Sequence, residues 1–396
     1  MKKFFAFMIL IPIAFASCGK ASIQISNEPD WNTLRMSILR ASISNHSNLG
    51  QFGEYVSNAG LTSSDLEKYL DENGSLKSNS PESLAKILQK LDNDRDAIIN
   101  IAKDSITFAN KLGGRAEKIA NFAKTTLPFE NITVQADPSL SPGLTRVSIA
   151  EKTAILFVPP MAGKESFDSA LLNAILQNAV LGKTYNIESI EKMCQKYSAS
   201  LSPREQVFAD LAFSLSTWID NPDIPTDLRA YTLKSSLKYG HIFSPQLGYG
   251  DMSVMENTKL EEIVDQAFAD CSNPKYLTLL ESLLNPGRLG IKVKEIPEGL
   301  EINELSLSGP SEQAGLLPGD IIVEIDTQKI TKVWELENLL YDKAANQYVI
   351  VKVSRDKTFS REKATTFEDD PSNSSRLCLF YQLLVAPKNS LPEGVY

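Results

Sequence analysis

The chain has 396 residues, of which 42% are hydrophobic and 22% charged, and its formal net charge is −9. These proportions are ordinary for a globular protein, and the length suits roughly two or three domains with cores of their own. Because an acidic surface repels phosphate, the composition argues against a nucleic acid as partner.

The N-terminus predicts an export signal. A basic start precedes an apolar run that ends in small residues and is too short to span a bilayer. The stretch from Phe15 to Cys18 resembles the lipobox of bacterial lipoproteins. This resemblance implies a signal peptide over residues 1–17 and a membrane anchor made of lipid, such as palmitate, on Cys18. The protein would then face the periplasm from the outer membrane, if the host has two membranes; cleavage after Ala16 and secretion is the alternative.

Most of the chain after the signal predicts helices. Residues 18–30 are polar and predict a tether, and residues 31–128 predict a helical domain in which apolar residues recur every three or four positions. Residues 129–285 predict a second, mostly helical α+β domain. Its segment 131–159 has short β-branched runs between turn residues, which indicates a small antiparallel meander. The stretch 167–181 is apolar almost all round and predicts a buried helix.

One part of this second domain resembles an enzyme family. The order of a strand, a buried helix and a helix carrying Glu205 and Asp210 is similar to that of gluzincin-like zinc metallopeptidases, whose H-E-x-x-H motif supplies two metal-binding histidines. The corresponding place here runs from Leu176 to Val180, and the only histidines of the chain are His46 and His241. The resemblance therefore implies an inactive relative, with unrelated helical packing as the alternative.

The clearest local pattern lies in residues 286–366. Gly315 predicts the end of a short helix, because glycine takes a left-handed conformation at least cost, and Pro318-Gly319-Asp320 predicts a tight turn. A β-branched run over residues 321–325 then predicts a buried strand. A helix and a further strand follow, so the pattern indicates a compact α+β unit.

Three stretches of this unit resemble the PDZ domains of bacterial periplasmic proteases. They are Leu289-Gly290-Ile291, residues 308–320 and residues 334–340, which match the carboxylate-binding loop, the Pro-Gly-Asp segment and the groove helix. The resemblance implies an α+β barrel or sandwich in which a peptide adds a strand beside residues 291–296. It implies the peptide-binding residues Leu289, Gly290, Ile291, Val293, Leu336 and Leu340.

Two alternatives remain open for this groove. It either accepts a partner peptide or is filled by the chain itself and acts only as scaffold. Residues 367–396 predict a loop and one more strand, and the strand at 376–385 either completes the sheet or occupies the groove.

Catalytic and metal sites have no support in the sequence. Two histidines without a Gly-x-Ser-Gly stretch do not predict a Ser-His-Asp triad, and both lie in polar segments where exposure or an ordinary hydrogen bond accounts for them. The spacing of Cys194, Cys271 and Cys378 predicts burial and no metal site. We expect no cofactor and no enzymatic activity.

The sequence thus predicts a non-catalytic, membrane-anchored envelope protein whose PDZ-like domain binds peptide C-termini or extended segments of partner proteins. An envelope peptidase, or a peptidase-related enzyme, with an unrecognised site in residues 130–285 is the alternative. A third interpretation makes the helical region the main interaction surface and the PDZ-like domain a brace.

Overall fold

The structure is a computed structural model, and the residues that it describes are 22–25, 31–44, 52, 55, 63–71, 75–104, 112–141, 143–160, 162–197, 199–248, 253–284, 286–343, 346–356, 366–369 and 376–386. The predicted signal peptide, Cys18 and His46 lie outside these residues. Within them, no helix combines the length and the apolar character that a membrane crossing requires.

The N-terminal region is mainly helical, as predicted. Its elements in chain order are β1 (Ser22–Ile25), α1 (Trp31–Ser44), α2 (Ser63–Tyr69), α3 (Glu82–Asn93), α4 (Arg95–Asp104), α5 (Gly113–Phe122), β2 (Asn131–Ala136), β3 (Arg146–Ala150), β4 (Thr153–Val158), α6 (Lys164–Ala179), α7 (Glu188–Lys196), α8 (Pro203–Ser216), α9 (Thr226–Ser235), α10 (Ser253–Asn257), α11 (Leu260–Cys271) and α12 (Pro274–Leu284). All of these elements except α9 contribute to one apolar core.

The small sheet of this region is mixed, so the predicted antiparallel meander is wrong. Its strand order is β1-β2-β4-β3, in which β1 and β4 run parallel to β2 and only β3 pairs antiparallel with β4. Alternating burial looks the same in both strand directions, so periodicity could not distinguish them. The outer strand β1 comes from the segment that the sequence predicts to be a tether.

Helices α6 and α8 form the centre of the N-terminal core. Every residue of α6 from Phe167 to Leu176 is buried, which confirms the prediction of a buried helix. Helix α8 begins with a capping box, in which Ser202 N–H donates to Glu205 Oε2 at 3.0 Å and the Ser202 hydroxyl accepts from the Glu205 amide. These two helices pack against each other beneath the sheet.

The C-terminal region is an α+β unit with its own core. Its elements are β5 (Ile291–Ile296), β6 (Gly299–Leu305), α13 (Pro310–Ala314), β7 (Ile321–Ile325), β8 (Gln328–Lys329), α14 (Val333–Tyr341), β9 (Tyr348–Asp356), β10 (Thr366–Asp369) and β11 (Arg376–Leu384). The sheet order is β10-β11-β9-β7-β6-β5, and β8 pairs with β7. All of these strand pairs are antiparallel.

The position of β11 answers the question that the sequence left open. It pairs with β9 along its whole length, on the far side of the sheet from β5. Leu377, Leu379, Tyr381 and Leu383 alternate along it and pack in the core of the C-terminal region. Residues 376–384 therefore complete the sheet, and the sheet continues beyond residue 366.

Candidate functional site

Strand β5 forms one edge of the C-terminal sheet. Among the described residues its only strand partner is β6, so its outer edge presents backbone groups that no strand has paired. Helix α14 lies beside β5, and the two are joined where β5 ends. Glu295 accepts hydrogen bonds from the Val333 amide at 2.9 Å and from Lys332 Nζ at 3.1 Å, which hold the pKa of this carboxyl below its usual range.

The loop before β5 has its carbonyl groups fixed on one side. The Leu289 carbonyl accepts from the Ser311 amide at 3.0 Å, and the Gly290 carbonyl accepts from the Ser306 amide at 2.9 Å. In a planar trans peptide the N–H of the next residue points opposite to the carbonyl. The amides of Gly290 and Ile291 therefore point away from the segment that carries Ser306 and Ser311.

This arrangement leaves amides available to an anion. Gly290 has a φ of +78°, the left-handed conformation that turns successive amides towards one side. Among the residues that the structure describes, the Gly290 amide has no hydrogen-bond acceptor, and the Ile291 amide points away from β6 because the neighbouring Gly290 carbonyl accepts from Ser306. A carboxylate placed on that side of the loop would meet two adjacent N–H donors, those of Gly290 and Ile291.

The predicted apolar residues meet in one place. Leu289, Ile291, Leu336 and Leu340 belong to a single buried cluster, and Val293 packs against its margin in a half-buried position. Ile291 and Leu336 are 0% exposed and Leu340 is 2% exposed. Because Ile291 and Leu336 have no solvent-exposed surface, a ligand side chain could touch them only if β5 and α14 moved apart.

The Pro-Gly-Asp turn is held by a buried ion pair that sequence reasoning missed. Asp320 accepts from the Leu317 amide at 2.9 Å, and both of its carboxylate oxygens bind the Arg355 guanidinium. Burial alone would lower the pKa of Arg355, but Asp320 more than offsets this and raises it. Arg355 lies in β9, which also carries Lys352, Ser354 and Asp356, so nothing in the sequence singles out this arginine.

Comparison with known proteins agrees with this geometry. The family model of the PDZ domain matches residues 287–363. These residues are a PDZ domain. No curated protein matches the chain.

Solved structures with some similarity include two proteases. The HtrA-type protease AlgW with decapeptide is 21% identical over 28% of this chain and 35% of its own, with a TM-score of 0.21. The serine endoprotease from Yersinia pestis is 20% identical over 28% and 34%, with a TM-score of 0.20. The chain thus spans about a third of the length of these proteases.

The aminopeptidase N family protein from Idiomarina loihiensis is matched over a larger share of the chain. It covers 71% of this chain and 64% of its own at 11% identity, with a TM-score of 0.21.

Outside the PDZ domain, His241 forms the most conspicuous polar cluster. It is fully buried, so the second of the two predicted explanations applies to it: an ordinary hydrogen bond joins its Nδ1 to Asp210 Oδ1 at 2.8 Å. Asp210 also accepts from the Phe243 amide at 2.7 Å, and the Phe213 ring stacks on the imidazole. His241 Nε2 has no partner among the described residues, but no solvent reaches it.

Cys194, Cys271 and Cys378 are buried, and none of them forms a disulfide among the described residues. Burial raises the pKa of Cys194 to about 12 and that of Cys271 well above its ordinary value, so both stay protonated and unreactive. Across the described part of the chain, no group of three or more His, Cys, Asp or Glu side chains is arranged to hold a metal ion.

Proposed function

We propose that this protein is a non-catalytic, membrane-anchored envelope protein whose PDZ domain binds the carboxyl termini or extended segments of partner polypeptides. The observation that carries the proposal is the unpaired edge of β5 next to the amides of Gly290 and Ile291. A strand edge and a nearby pair of free amides are the two elements that recognition of a peptide end requires.

Binding follows from this geometry in three parts. The peptide lies antiparallel to β5 and supplies main-chain hydrogen bonds along the edge. Its terminal carboxylate lies against the Gly290 and Ile291 amides, in charge-assisted hydrogen bonds. Its last side chain enters between Ile291, Leu336 and Leu340, so peptides with an apolar C-terminal residue are favoured. In this proposal the domain as a whole is the sandwich that the resemblance implies.

The cellular location is proposed from the sequence. The apolar run and the lipobox-like stretch before Cys18 support export and lipid anchoring, in the outer membrane if the host has two. In that position the PDZ domain would meet unfolded or assembling envelope proteins, and the protein would act as an adaptor or as the partner of a protease.

The non-catalytic interpretation is supported by the burial of His241. A general base must reach its substrate, and His241 is enclosed by Asp210, Phe213 and the surrounding core. An enzyme with a site elsewhere in residues 130–285 is the competing interpretation. Casein digestion and a zinc assay on the purified protein separate the two, because cleavage or bound zinc would favour the enzyme.

The direct test compares two forms of one peptide. The full chain is titrated against a fluorescent peptide that ends in valine with a free carboxylate, and against the same peptide with an amidated end. Losing one charge-assisted hydrogen bond costs about 1.5–3 kcal/mol, so the amidated peptide should bind roughly 10- to 150-fold more weakly. Equal and negligible binding of both peptides would defeat the proposal.

A further inference from the structure

The groove helix α14 is contacted from outside the PDZ domain by α9. Tyr231 donates its hydroxyl hydrogen bond to Glu337, and Lys234 Nζ lies 2.6 Å from Asp342 Oδ1. Lys234 also donates to Asn338 Oδ1 at 3.2 Å. All three acceptors lie in or directly after α14, so α9 of the helical region binds the groove helix itself.

These contacts lie on the face of α14 that is turned away from its own core. With 3.6 residues per turn, Trp334, Glu337 and Asn338 share one side of the helix, and Leu336 and Leu340 share the other. The Trp334 ring contributes to the outer side, where its centre is 6.2 Å from that of Tyr231. Helix α14 is therefore enclosed between the PDZ core on one side and α9 on the other.

A peptide side chain can enter the groove only if α14 moves. Ile291 and Leu336 have no solvent-exposed surface in this structure, so neither is accessible to a ligand side chain. Glu295 closes the same gap at one end through the Val333 amide and Lys332. Separation of α14 from β5 would push the outer face of α14 towards α9, where Tyr231 and Lys234 hold it.

We propose that α9 is an autoinhibitory brace, which holds the peptide groove shut through Tyr231 and Lys234. Release of α9 raises the affinity for peptide, and by reciprocity a bound peptide loosens α9 from the PDZ domain. Through this brace, binding of a peptide in the groove changes how tightly the helical region contacts the PDZ domain. This inference depends on the proposed function, because it assumes that the groove takes peptides.

The test uses the full chain with two substitutions in the brace. Lys234→Ala and Tyr231→Phe remove the polar contacts to α14. Lys238→Ala is the matched control, because Lys238 is exposed, follows α9 closely and, among the described residues, has the Tyr239 ring as its one side-chain partner. We expect the brace variants to bind a valine-ended peptide about three- to tenfold more tightly than the unchanged protein. The control should bind with unchanged affinity.

A second measurement needs no peptide. In the brace variants, amide hydrogen exchange of Val333–Tyr341 should be faster than in the unchanged protein and in Lys238→Ala, because α14 has lost its outer support. Unchanged or weaker peptide binding by the brace variants, with exchange unaltered, overturns the brace and leaves the proposed function intact. Failure of every variant to bind any peptide overturns both.

Discussion

Gly290→Ala is the substitution that tests the carboxylate-binding loop most directly. The residue has a φ of +78°, where an L-amino acid with a Cβ pays about 1–2 kcal/mol. The added Cβ would lie 3.2 Å from Pro310 Cδ and 3.3 Å from Gly309 Cα, so the start of α13 would have to give way slightly. We expect the free energy of unfolding of the PDZ domain to fall by about 1–2 kcal/mol.

The larger effect should be on binding. Relief of the strain rotates the peptide units around Gly290, and the Gly290 and Ile291 amides then no longer converge on the ligand carboxylate. Loss of one such hydrogen bond costs about 1.5–3 kcal/mol, which corresponds to roughly 10- to 150-fold in Kd. Fluorescence anisotropy with the free-carboxylate peptide measures this change, and the amidated peptide should show little further loss.

Gly319→Ala is the matched control for this experiment. Gly319 lies in the same domain with a φ of +91°, and a Cβ there would meet no atom within 4 Å. It therefore carries the same backbone strain away from the loop and should lower stability without affecting peptide affinity. Our account of the loop is refuted if Gly290→Ala binds like the unchanged protein, or if Gly319→Ala weakens binding as much.

Two further predictions concern stability. Asp320→Ala should lower the free energy of unfolding by about 3–5 kcal/mol in a urea titration, because the Arg355 guanidinium is left buried without a carboxylate partner. Adding Arg355→Met should recover part of this loss. A loss below about 1 kcal/mol would contradict the reasoning. The helical region should lose stability as the pH falls below about 4. Burial alone would raise the pKa of Asp137, but the charge of Arg146 and the hydrogen bonds of Ser139 outweigh burial and hold the pKa in the folded protein below the ordinary 3.8. Ionised Asp137 therefore stabilises the fold above pH 3.8, and this stabilisation is lost as the pH falls through the pKa of the folded protein. Thermal melts from pH 6 to pH 2 measure this, and Asp137→Asn should flatten the acid side of the curve; a curve of unchanged shape would count against it.

The sequence predicts best where the determining interactions are local. Gly315 has the positive φ of a helix end, and α13 stops there. The turn at Gly319 and the strand after it lie where the residue pattern indicates. The capping box of α8 is likewise formed by residues three positions apart. Each of these features depends on conformational preferences within a few residues, which a single sequence displays directly.

Pairings between distant segments were beyond that kind of reasoning. The sequence shows that β11 is a strand, yet only the fold places it beside β9. The partners of the carboxylate-binding loop, Ser306 and Ser311, donate through backbone amides, which leave no mark in the sequence. The contact of Tyr231 with α14 joins side chains that are ordinary surface residues in each helix taken alone.

The anchoring of the loop explains why groove and helix should respond together. Arg288 and Ala386 exchange two backbone hydrogen bonds of 2.9 Å, which fix the loop to the end of β11. The Gly287 amide donates to the carbonyls of Leu340 and Lys343, which fixes the same loop to the end of α14. A displacement of the loop by a bound carboxylate is therefore transmitted to α14 through Gly287. A fragment ending at residue 366 would lack the first of these anchors, so affinities measured on it would describe a looser loop than the one in the whole protein.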